Sequence, residues 1–99
     1  MAQRKLKPIH PGEILQEEFL KPFGISPETL AQNTGVDAES IREIIAGDGS
    51  VTADAALRLA KYFGTSAQFW LGLQSDYDLD VTREMLGDRL EKEIVPIAA

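Results

Sequence analysis

Cysteine is absent from these 99 residues and histidine occurs once. The first absence excludes a disulfide framework and any thiolate metal site. The second removes most zinc chemistry and most histidine-dependent catalysis, and no serine is paired with a base that would make it a nucleophile. No apolar run approaches the ~18 residues of a membrane-spanning helix. The N-terminal stretch MAQRKLKPIHP is basic but lacks the apolar segment of a secretory signal. No enzyme activity, metal, cofactor or membrane contact is therefore expected, and a cytoplasmic location is. Basic charge is scarce as well. Ten Lys and Arg stand against 16 Asp and Glu, a net charge of −6. That balance disfavours indiscriminate nucleic-acid binding and suits a basic partner.

What is present is enough for one small core, with 43% of residues hydrophobic. The chain is organised around SPETLAQNTGVDAESIREIIAG, residues 26–47. Ser26 caps a helix whose first residue is Pro27, where a missing N–H costs nothing. Gly35 ends it, being free to adopt the left-handed conformation. Asp37 caps a second helix carrying Ile41, Ile44 and Ile45 at spacings of three and four, and Gly47 stops that one. Two helices this short bury too little surface to stand alone.

The flanks supply the support. A first helix from Gly12 to Pro22 presents Leu15, Phe19 and Phe23, with Ile14 beside them, as a stripe. Glu17 and Lys21 pair on its outside. Thr52 caps a helix from Ala53 to Phe63, with Ala53, Ala56, Leu57, Ala60 and Phe63 as its expected buried stripe and Asp54–Arg58 as an outer pair. Ser66 caps a further helix beginning Ala67-Gln68-Phe69-Trp70-Leu71. A break is expected near Asp78 to Asp80, then a last helix to about Glu93, with Gly87 inside it and Pro96 beyond. Period-two alternation is confined to the short stretch Ile94 to Ile97. The pattern reads as all-α. Residues 1–10 form a flexible basic arm, 11–79 the domain, and 80–99 a C-terminal helix and tail.

The spacing inside residues 26–47 is specific. Gly35, Val36, Ile41 and Ile44 follow Ala31 at offsets of 4, 5, 10 and 13. This resembles the helix-turn-helix of phage-repressor-like (XRE-type) proteins, in which a small residue lies where the helices cross and a glycine occupies the turn. The blocks HPGEIL, ALRLAKYFGTS, FWLGLQ and YDL extend the resemblance over about residues 9–79, and as a set they are similar to the HigA family of antitoxins, also known as virulence-associated protein I. The resemblance implies a five-helix phage-repressor-like DNA-binding domain, here followed by a C-terminal helix. It implies a homodimer that binds operator double-stranded DNA to repress its own operon, and a HigB-like mRNA-cleaving toxin as protein partner.

In such a fold the N-terminal half of the second helix of the motif enters the major groove. That maps to Ala38, Glu39, Ser40, Arg42 and Glu43. Arg42 is suited to guanine or phosphate, Ser40 to either base type, and Glu39 or Glu43 to cytosine N4. The helix N-termini at Ser26, Asp37 and Thr52 are suited to phosphates. Charge argues the other way. Residues 37–48 hold four acids and one base, and phosphate contact dominates affinity. Attraction would have to come from Arg42, Arg58, Lys61 and the basic arm. The alternative is a helix-turn-helix protein-interaction module, or a solitary regulator, with weak or no operator binding. His10 fits a structural role at the HPGE helix entry. Glu13, Glu17 and Glu18 fit a solvated helix face. The stripe of Phe69, Trp70, Leu73 and Tyr77 fits core packing and, equally, a dimer interface, for which Trp70, Gln74 and Tyr77 are the candidates. The acidic stretch from Asp76 to Glu93 fits a solvated face or a basic partner.

Overall fold

The computed structural model describes residues 7–98. Arg4 and Lys5 of the expected arm lie outside the described residues. Six helices and no strand occur among those residues: α1 (residues 11–23), α2 (Pro27–Thr34), α3 (Ala38–Ala46), α4 (Ala53–Phe63), α5 (Ala67–Leu86) and α6 (Arg89–Glu93). The all-α expectation and the count of five helices plus one are both met.

Helix α1 starts where His10 holds extended backbone and its Nδ1 accepts from the Gly12 N–H at 2.9 Å. Histidine thus does the work usually given to Ser or Asp at a helix cap. The helix opens as α over Pro11–Ile14, widens to π over Leu15–Leu20 and closes as α over Lys21–Phe23. At the end of the wide stretch the Lys21 N–H reaches the Gln16 carbonyl, five residues back. Pro22 explains the widening. It has no N–H to give, and its ring would press on the carbonyl four residues earlier in a regular α turn.

Helices α2, α3, α4 and α5 begin at the caps read from the sequence. Ser26 accepts from Thr29 N, Asp37 from Ser40 N, Thr52 from Ala55 N and Ser66 from Phe69 N, all within 3.0–3.1 Å. The core draws Leu15 and Leu20 from α1, Leu30 from α2, Ile41 and Ile44 from α3, Ala55, Ala56, Leu59 and Ala60 from α4, and Trp70 from α5. Two stripes are corrected. Phe23 is 64% exposed and Leu57 is 63% exposed, and Ala53 is exposed. The buried face of α4 runs instead through Ala55 and Leu59, because α1, α2 and α5 enclose that side.

The break expected near Asp78 to Asp80 is absent. Helix α5 runs unbroken for 20 residues, so the boundary drawn between residues 79 and 80 falls inside it. Three acids in alternation cost little when all three are exposed. The interruption comes at Gly87, which ends α5 with φ 58° and ψ −124°, a combination open to glycine. Gly87 therefore separates α5 from α6 instead of lying within a helix. Beyond Gln74 no described residue is buried, and the molecule measures 51 × 28 × 22 Å as the end of α5 and α6 extend from the core.

Candidate nucleic-acid interface

The helix-turn-helix is set by backbone geometry at one glycine. Gly35 holds φ 81°, and its N–H closes α2 on the Ala31 carbonyl at 2.9 Å. A side chain there would also meet Arg58, whose Nη1 would lie 2.7 Å from the added Cβ. Arg58 occupies that space for a reason: Nη1 donates to the Thr34 carbonyl at 2.9 Å, covering the C-terminal end of α2, while Nε is held by Asp54. A cation at a helix C-terminus is favoured by the helix dipole. Thr34 adds to the turn by accepting from Val36 N through Oγ1.

Three of the expected phosphate and base contacts converge. Asp37, Ser40 and Thr52 line one cleft of about 250 Å³ with Ser50 and Arg58. Its wall holds the hydroxyls of Ser40, Ser50 and Thr52, the N-termini of α3 and α4, and a guanidinium edge. Unsatisfied N–H groups of helix N-termini attract anions, so the cleft is built to hold a phosphate. Ser50 was not among the sequence candidates. Its signal was faint: a single serine in the Asp48–Val51 turn. Ser26 lies apart, at the start of α2. On α3, Glu39, Arg42 and Glu43 are exposed, and Ala38 and Ser40 are half-buried.

Arg42 is not free. Its Nη1 donates to Glu28 Oε2 at 2.8 Å, tying α3 to the first turn of α2. The turn after α3 folds back on the helix, with Asp48 N and Gly49 N both donating to the Glu43 carbonyl at 2.9 Å.

The interface candidates on α5 divide. Trp70 is fully buried, its Nε1 donating to Thr65 Oγ1 at 2.7 Å and its ring against Phe19, Phe63 and Phe69. Gln74 is 6% exposed. Its Oε1 accepts from Val51 N at 2.7 Å and its Nε2 donates to Asp78. Both side chains are spent inside the protomer, which corrects their assignment to a surface between protomers. Tyr77 is half-buried, in edge contact with His10 at 4.8 Å. Elsewhere, Glu17 pairs with Lys21 at 3.0 Å, and Glu13 and Glu18 are exposed, as a solvated face requires. No helix among the described residues is long and apolar enough to cross a membrane.

A helix-turn-helix family model matches residues 17–70, so the class of the fold is that of a helix-turn-helix protein. Virulence-associated protein I of Dichelobacter nodosus is 46% identical over 83 residues, 84% of this chain and 77% of that protein. Antitoxin HigA-1 of Vibrio cholerae is 40% identical over 83 residues, 84% of this chain and 78% of that protein. An antitoxin HigA of Pseudomonas aeruginosa, solved with the higBA promoter, is 47% identical with a TM-score of 0.88, covering 92% of this chain and 99% of that one. The chain belongs to the HigA family of antitoxins.

Proposed function

We propose that this chain is a cytoplasmic antitoxin that binds operator DNA as a homodimer, represses its own operon and neutralises a HigB-like mRNA-cleaving toxin. The observation that carries the DNA half is the cleft shared by Asp37, Ser40, Ser50, Thr52 and Arg58, next to an exposed α3 surface. Helix N-termini with hydroxyls and a guanidinium anchor the backbone, and α3 then meets base edges in the major groove. Ser26 contributes a second helix N-terminus for the backbone, and Ala38, Glu39, Ser40, Arg42 and Glu43 form the reading surface. Likeness to an antitoxin HigA solved with its promoter supports the same reading. Dimerisation falls to Tyr77 and to exposed apolar residues further along, Leu79 and Met85, since a lone helical extension with apolar surface gains by pairing.

The experiment is a gel shift with the DNA upstream of the chain's own gene, with and without the adjacent gene's product, together with growth rescue on co-expression. A retarded band and restored growth support the proposal. Absence of any shift in either condition removes the repressor half, and failure to rescue removes the antitoxin half.

A second reading is favoured by one observation. Arg42, the one basic residue among residues 37–48, is engaged by Glu28. A protein-interaction module or solitary regulator with weak operator binding would tolerate this. A small basic reading frame beside the gene distinguishes the antitoxin from that alternative.

A further inference from the structure

The Glu28–Arg42 pair joins residues 14 positions apart, so it bridges the two helices of the motif and is not a product of helical spacing. Stability does not account for it. The side chains are 53% and 66% exposed, and exposed pairs contribute ~0–1 kcal/mol. The pair lies between the start of α2 and the reading surface of α3, where DNA would bring its phosphates. A carboxylate and a phosphate compete for the same guanidinium donors, since both accept charge-assisted hydrogen bonds from it. In the free protein the carboxylate has them.

We propose that Glu28 is an intramolecular competitor for Arg42 that holds operator affinity down. This rests on the reading of α3 as the helix that meets DNA. Arg42 must leave Glu28, or share its donors, to reach a guanine or a phosphate. Glu28, once uncovered, places a negative charge beside the DNA backbone. Both effects subtract from binding, in a segment already short of positive charge. Glu28 thus acts through Arg42 as a positioning residue, and sets how much of that arginine's attraction reaches the operator.

The test is a double-mutant cycle on the full chain: wild type, Glu28→Gln, Arg42→Ala and the double variant. Each is titrated by fluorescence anisotropy against a labelled duplex of the gene's own upstream region at several salt concentrations. Thermal melts establish that all four are folded, as expected for an exposed pair. Glu28→Gln tightens binding roughly three- to tenfold and steepens the salt dependence by about one phosphate contact. The same substitution in the Arg42→Ala background produces a gain at least about threefold smaller. Equal gains in both backgrounds overturn the proposal, because Glu28 then acts through its charge alone. Loss of affinity in Glu28→Gln also overturns it, since Glu28 would then hold Arg42 in its reading pose. Equal binding by wild type and Arg42→Ala overturns it while leaving DNA binding standing. If none of the four folded proteins binds, the reading of α3 falls together with the proposal.

Discussion

Gly12 and Ile44 meet backbone to backbone: a Cβ built on Gly12 would stand 1.8 Å from the Ile44 carbonyl oxygen. The contact seats the start of α1 directly on α3, so the helix that carries the reading surface is held from behind without an intervening side chain. It also links the arm-bearing end of the chain to α3, since His10, which caps α1, leans on Tyr77 of α5.

Gly12→Ala therefore forces α1 away from α3. Neither side of the clash is a flexible side chain, so the cost is expected to reach at least about 3 kcal/mol. A lowered urea midpoint measures it. Gly72→Ala is the control. Its added Cβ meets nothing within 4 Å, and its position lies within α5, so it is expected to gain about 0.5–1 kcal/mol from helix propensity.

Trp70 is the chain's single tryptophan, and it is a core residue. Its emission should be that of a shielded indole in the native protein and shift to the red on unfolding. It should stay constant when the protein is diluted through any dimer dissociation. A red shift on dilution under native conditions would mean that the ring is covered by a second protomer.

Gln74 ties α5 to the turn ahead of α4, by accepting from Val51 N in a buried site. Gln74→Leu keeps the volume but leaves that N–H without a partner. A loss of about 1–3 kcal/mol follows from the desolvation of an unpaired donor, read from the chemical-denaturation midpoint. The turn also carries Ser50 and Thr52, so operator affinity should fall in the same variant.

A chain ending after Leu79 should keep a melting transition close to that of the full protein, because no described residue beyond Gln74 is buried. It should lose self-association, because Met85 and everything beyond it is removed. Light scattering with thermal melts reads both outcomes. A truncated chain that remains dimeric would move the interface onto the domain itself.

The caps at Ser26, Asp37, Thr52 and Ser66 were legible because each is local chemistry: one oxygen and one N–H three residues away. Gly35 was legible for the same reason. Helix phase was less so. The sequence offers α4 two apolar faces, and the choice of Ala55 and Leu59 over Ala53 and Leu57 is made by neighbours distant in the chain. The acids at Asp78 and Asp80 resembled a break, but a solvated helix carries them without penalty. Gly12 looked like part of a helix start, and its close approach to Ile44 is a tertiary fact with no local signature. Glu28 was likewise invisible as a partner of Arg42, since no helical repeat relates them. Ser50 entered the cleft only once α3 and α4 were placed side by side.

The central claim is that the α3 surface reads operator DNA through Arg42. Its most direct measurement is the affinity of wild type and Arg42→Ala for the gene's own upstream duplex and for a scrambled duplex of equal length, at one fixed salt concentration. The account predicts that wild type prefers the upstream duplex, and that Arg42→Ala loses this preference while still neutralising the toxin. Full retention of preferential binding by Arg42→Ala would contradict it.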